Sequence, residues 1–280
     1  MDGVRFAIGT LSVFPVRVTR VDRQVVGRAM VLAPAVGLVL GGVACLPLLL
    51  PGPPLLGAAL ALGLLAVLTR GLHLDGLADL ADGLGSGKPA PQALDIMKKS
   101  DIGPFGVITL VLTLLIQATA LSGLAPTTQA IALSGLGSTS LTTALSWLGP
   151  PALMTALSGI GPAALVTACV TGRLALTWAC RSTVPAARPD GLGALVAGTV
   201  RPGAAWAATA LALAAAAGLG LVAGQRMVYV LPLGVVAGLV AASLLLRHAR
   251  RRLGGVTGDV LGALVETATA TTLTICAVLG

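Results

Sequence analysis

The chain has 280 residues, of which 56% are hydrophobic, 10% charged and 2% aromatic, with a mean hydropathy of +0.96. Soluble domains carry about 25% charged residues, so this composition excludes a soluble globular domain. It implies an all-α polytopic membrane helical bundle in a single domain over residues 1–280, packed through Ala, Leu, Gly and Thr in the small-residue mode of helices in lipid.

In chain order, the segment up to Arg28 sets Asp2 and Asp22 against Arg5, Arg17, Arg20, Arg23 and Arg28. These charges interrupt any cleavable signal peptide and predict a short amphipathic or re-entrant helix followed by a basic stretch. Seven spans of the length a bilayer requires follow, near 29–50, 55–82, 104–123, 162–181, 203–224, 227–246 and 258–279. The connections alternate in charge. Pro51 to Pro54 has none, the loop after Gly83 carries Lys88, Lys98 and Lys99, residues 122–172 have none, and Arg181, Arg188 and Arg201 come next. Arg226 stands alone in a tight turn, and four arginines lie between Arg247 and Arg252. The positive-inside rule then puts the N-terminus in the cytoplasm and the C-terminus outside, after seven crossings of the cell membrane. The net charge of +8 therefore implies topology and lipid headgroup contact and no nucleic acid. Residues 124–161 are apolar enough to form a poor span, and are expected to be an external loop, a re-entrant piece or a pair of crossings that preserves parity. Cys45, Cys169, Cys180 and Cys276 have no CxxC or Cys/His pairing and read as core fillers.

One stretch stands apart. Half of the ten acidic residues, Asp75, Asp79, Asp82, Asp95 and Asp101, fall between Arg70 and Asp101, directly after an apolar run. On a helix Asp75, Asp79 and Asp82 share one face. Three like charges there repel unless a cation neutralises them, and a hard ion such as Mg²⁺, which in turn binds phosphate, fits better than a merely solvated helix end. Gly83, Gly85 and Gly87 end the helix, and Pro89 and Pro91 let the chain fold back over the carboxylates. His73, two residues before Asp75, would face away from the triad on an ideal helix. Lys98 and Lys99 offer phosphate contacts, and Arg173, Arg181, Arg188, Asp190 and Asp259 belong at the same face of the membrane. Glu266 would lie roughly 10 Å deeper on the face that carries Asp259, where a carboxylate lines a cavity or meets a cation.

The motifs GLHLDGLADLADGLGSG, IMKKSDIGPFG, ARPDGLGA and RRLGGVTGDVLGALVE, in that order from about Phe6 to Glu266, resemble the cobalamin synthase family, membrane-bound adenosylcobinamide-GDP ribazoletransferases. Lys99-Ser100-Asp101 stands where many relatives carry Asp-Ser-Arg or Asp-Ser-His. The resemblance implies a Mg²⁺-dependent transfer of adenosylcobinamide phosphate from adenosylcobinamide-GDP to α-ribazole or its 5′-phosphate, releasing GMP, late in cobalamin assembly. It implies metal binding by Asp75, Asp79 and Asp82, with Asp259 and Glu266 as further ligands. Asp101 and His73 join the catalytic candidates, and Lys98, Arg173, Arg181, Arg188 and Asp190 the substrate-binding ones. Self-association is left open.

Two other readings exist. Asp79-x-x-Asp82-Gly83 matches the first half of the CDP-alcohol phosphotransferase pattern, but Ser86-Gly87 stands where Ala-Arg belongs. A cation-coupled transporter would account for Glu266, yet no paired broken-helix repeat is visible.

Overall fold

The computed structural model describes residues 2–18, 21–124 and 159–280, all of them helical or connecting, with no strand beyond two isolated bridges. The elements are α1 (Asp2–Leu11), α2 (Arg23–Ala44), α3 (Pro54–Leu68), α4 (Leu72–Gly85), α5 (Ala90–Ile96), α6 (Pro104–Gly123), α7 (Ile160–Ala179), α8 (Gly191–Val196), α9 (Pro202–Ala223), α10 (Met227–Leu253) and α11 (Gly258–Leu279). Among the described residues six helices are long and apolar enough to cross a membrane, and the bent pair α3–α4 raises the number to seven if it counts as one span. The all-α, multi-pass architecture expected from composition is the one observed.

The expected straight span over 55–82 is broken. The helix stops at Leu68 and resumes at Leu72 after a turn of 90°. Arg70 and Gly71 both adopt left-handed backbone, at φ 56° and 66°, a conformation that ends an α-helix. α1 braces the corner: the amide of Val13 donates to Leu68 O at 2.7 Å, and Arg70 Nη2 donates to Gly9 O at 3.3 Å.

α7 is the central helix, buried along most of its length between α2 and α11. Its crossing with α2 is close because Gly37 and Gly41 lie directly on the backbone of Val166 to Val170; a Cβ on Gly41 would stand 2.9 Å from Val166 Cα. Glycines make the crossing of α4 and α11 in the same way. A Cβ on Gly76 would lie 2.9 Å from Asp259 Cα, and one on Gly262 3.1 Å from His73 Cα. Small residues let backbones approach where lipid supplies no hydrophobic drive between helices. Gly76→Val should force α4 off α11, lowering stability by about 1–3 kcal/mol and separating Asp75 from Asp259. A lower unfolding temperature in detergent, with loss of activity, checks this.

Leu124 and Gly161 lie side by side, since a Cβ on Gly161 would be 3.4 Å from Leu124 O. α6 therefore ends and α7 begins at the same end of the bundle. Of the segment 124–161, residues 125–158 lie outside the described residues. At the opposite end the basic segments are tied together. Arg23 Nη2 donates to Ala197 O at 2.9 Å, Arg250 Nη2 to Thr183 O at 3.2 Å, and Arg252 Nη2 to Lys88 O at 3.4 Å.

Candidate functional site

A cleft of about 320 Å³ opens at this basic end. Its lining comes from α1, α2, the first turn of α4, α7, residues 188–193 and the first turn of α11, and includes His73, Asp75, Arg188, Asp190 and Asp259. Asp259 is set by its helix start. Thr257 is the N-cap of α11 and its Oγ1 accepts from the amide of Val260 at 3.2 Å. The same hydroxyl lies 3.2 Å from Asp259 Oδ2, and the carboxylate sits beside the positive end of the helix, where negative charge is favoured.

Arg188 is the cation of the site. Its Nη2 donates to Leu94 O at 2.8 Å and lies 3.8 Å from Asp259 Oδ2, while its buried Nε has no hydrogen-bond partner. An arginine with a free donor beside a cleft is suited to an incoming phosphate. Asp190 lines the mouth, and its Oδ2 lies 4.0 Å from Lys98 Nζ with both side chains exposed. A pair this exposed adds little stability.

The carboxylates have different partners. Asp79 lies within electrostatic reach of Asp75, Asp259, Asp82 and Arg188, so Asp75, Asp79 and Asp259 form one acidic group spread over α4 and α11. Asp82 is turned to α6: Oδ2 accepts from the amide of Gly103 at 2.7 Å and Oδ1 from that of Gly106 at 2.9 Å. Both oxygens thereby satisfy amides at the start of a helix that has no cap of its own. Glu266 is buried lower in the bundle, where its Oε2 accepts from Gln117 Nε2 at 2.8 Å and Arg173 is its charged neighbour.

Several expected site residues lie elsewhere. Arg173, 1% exposed, is in the interior between His73 and Glu266, with Nε and Nη2 unpartnered. Arg181 stacks over the Trp178 ring at 4.4 Å and its Nε donates to Trp178 O at 3.0 Å, away from the cleft. Burial and then the Arg250 charge pull its pKa below the usual arginine value. Asp101 is exposed in the loop before α6 and does not line the cleft. His73, expected to face away from the carboxylates, lines the cleft together with Asp75, because the cleft ends at the first turn of α4 and takes residues from more than one side of it. Thr257, which lines the cleft, and Gln117, the partner of the buried Glu266, are residues that the sequence analysis did not single out. A Thr before Gly-Asp is an N-cap signal, and one amide within the apolar run of α6 is a ready partner for a buried acid.

Among the described residues no three His, Cys, Asp or Glu side chains are grouped so that together they could hold a metal ion. The donors of Asp75, Asp79 and Asp259 are hard oxygens, the type that suits Mg²⁺. That ion is bound by one or two carboxylates plus waters and substrate phosphates rather than by an all-protein cage, so the donor set fits it.

The fold and the cleft define a multi-pass membrane protein with an acidic, arginine-bearing site at one end of its bundle. Comparison with known proteins makes this specific: the chain belongs to the cobalamin-5-phosphate synthase family, whose profile matches residues 3–158 and 134–277. A protein of Frankia casuarinae named adenosylcobinamide-GDP ribazoletransferase is 40% identical over 98% of this chain and 93% of its own length. Proteins of the same name from a Nocardioides species and from Corynebacterium efficiens are 39% identical over 97% of the chain and 96% of their own, and 33% identical over 99% and 91%. No solved structure matches.

Proposed function

We propose that this chain is an adenosylcobinamide-GDP ribazoletransferase that moves adenosylcobinamide phosphate onto α-ribazole or α-ribazole 5′-phosphate and releases GMP. The observation that carries the reading is the cleft itself, which Asp75 and Asp259 from two glycine-apposed helices line together with Arg188, whose Nη2 lies 3.8 Å from Asp259 Oδ2. A pyrophosphate needs this combination of oxygen donors for a cation and a guanidinium for its own charge.

In the reaction, a hydroxyl oxygen of the ribazole ribose bonds to the phosphorus that carries the corrinoid. The bond from that phosphorus to the bridging oxygen breaks, GMP departs with the bridging oxygen, and the hydroxyl proton passes to a carboxylate bordering the cleft. Arg188 holds the non-bridging oxygens and fixes the angle of approach. Thr257 orients Asp259. One or two carboxylates of the group Asp75, Asp79 and Asp259 would hold Mg²⁺, which would supply neutralisation of charge on the pyrophosphate. The basic residues gathered at the cleft end support a plasma-membrane protein with its site on the cytoplasmic side.

The test is incubation of purified protein with adenosylcobinamide-GDP, α-ribazole and Mg²⁺. GMP and a cobalamin product should appear in equal amounts. Formation of a phospholipid from a CDP-activated lipid, or substrate flux without chemistry, would overturn the reading. Arg188→Lys keeps the charge and loses the fork, so KM for adenosylcobinamide-GDP should rise about tenfold, as initial rates over a range of donor concentrations would show.

A further inference from the structure

Beneath the cleft lies a second group of polar side chains, which the proposed reaction does not use. α11 carries Gly262, Glu266 and Thr269 on one face, at i, i+4 and i+7. Gly262 packs on His73 of α4, and Thr269 on Gly172 of α7, where a Cβ would stand 2.7 Å from Thr269 Oγ1. Glu266 therefore sits between the two crossings, with Gln117 of α6 as its hydrogen-bond donor. Arg173, beside Gly172 and one turn deeper than the cleft residue Leu176, has both His73 and Glu266 as electrostatic neighbours. His73, Arg173 and Glu266 are all more than nine-tenths buried, at 3%, 1% and 8% exposed. Arg173 Nε, Arg173 Nη2 and His73 Nε2 nevertheless have no hydrogen-bond partner. Buried polar atoms are nearly always hydrogen-bonded, and one left bare is costly.

We propose that Arg173 is a positioning residue for the cleft: through one buried water it ties Glu266 of α11 to His73 of α4, and the tie sets how far apart Asp75 and Asp259 stand. The hydrogen-bond inventory selects the water. A guanidinium only donates and a carboxylate only accepts. A water takes the N–H groups of Arg173 Nε and Nη2 on its two lone pairs and gives its two hydrogens to Glu266 and to His73 Nε2. Bonding of this kind, to about three buried polar groups, is what holds waters inside proteins. The path from the tie to the cleft is short. Asp75 follows His73 by two residues, and Asp259 precedes Gly262, which packs on His73, by three. The effect on activity rests on the proposed transferase reading, and the tie itself does not.

The first experiment needs no change at the tie. The chain has two histidines, His73 and the exposed His248, so ¹⁵N labelling of histidine in the full-length protein reports both rings, and a His248→Gln sample assigns them. His73 should carry its proton on Nδ1 and accept at Nε2; a proton on Nε2 would overturn the proposal. The second experiment compares Glu266→Gln with the double variant Arg173→Met/Glu266→Gln. Glu266→Gln leaves the Arg173 cation buried without a counter-charge, so the yield of folded protein by gel filtration should fall severalfold, and adding Arg173→Met should recover most of it. In the recovered double variant, kcat/KM and the affinity for Mg²⁺ should each be about tenfold below wild type, the scale on which groups that orient metal-binding carboxylates act. Wild-type Mg²⁺ dependence in the double variant, or a yield no better than that of Glu266→Gln alone, would contradict the proposal. If wild-type protein releases no GMP from adenosylcobinamide-GDP and α-ribazole, it is the transferase reading that fails, and the histidine spectrum and the folded yields still decide the tie.

Discussion

Replacing Asp75 or Asp259 by Asn should lower kcat/KM for ribazole transfer at least about a hundredfold, the scale of losing one charged group from a phosphoryl-transfer site, while the amount of folded protein in the membrane stays near wild type. Both carboxylates border the cleft, on helices joined by the Gly76 and Gly262 crossing. Asn keeps the volume and a single acceptor oxygen but removes the charge that holds a cation against pyrophosphate. The stability expectation follows from what each group touches. Asp259 has a 3.8 Å ion pair with Arg188, a hydroxyl contact to Thr257 and a backbone hydrogen bond at its own helix start, none of which Asn must lose entirely. Near Asp75, relief of repulsion with Asp79 offsets what is lost. Raising Mg²⁺ should recover part of the activity if the loss is one of cation affinity. Steady-state rates across a Mg²⁺ titration, with detergent-solubilised protein checked by gel filtration, measure both quantities.

Asp82→Ala should behave in the opposite way, lowering stability by about 3 kcal/mol. It leaves the amides of Gly103 and Gly106 unpaired at the start of α6. Asp82→Asn retains one acceptor and should lose roughly half as much. Urea or SDS unfolding in detergent should show this order, and the folded fraction of Asp82→Asn should retain far more activity per molecule than Asp75→Asn. Equal inactivation of the two Asn variants at equal folded fraction would return Asp82 to the metal site.

The contrast between Asp75 and Asp82 shows where sequence reading ended. Hydropathy was enough for a multi-pass helical bundle, because spans are defined by local composition. Clustered Asp before glycines marked α4 as the acidic helix. The three aspartates of α4 are chemically identical in sequence, and the surroundings of each are set by distant partners: Gly103 and Gly106 for Asp82, Asp259 and Arg188 for Asp79. The glycines of IGPFG carried that information, since a Cβ at either position would collide with the Asp82 carboxylate. Glu266 was legible as an intramembrane acid but its partner was not. Gln117 lies 149 residues away and on another helix. The bend at Arg70 and Gly71 was hidden because the apolar run continues up to it, and the corner is held by hydrogen bonds from α1.

The proposed reaction is transfer at one particular phosphorus. The most direct measurement uses adenosylcobinamide-GDP labelled with ³²P at the corrinoid-side phosphorus, incubated with purified protein, α-ribazole and Mg²⁺. All label should pass into the cobalamin product, the GMP released should be unlabelled, and chelation of Mg²⁺ should stop both. Label in the released nucleotide, or product formed without GMP, would contradict the account.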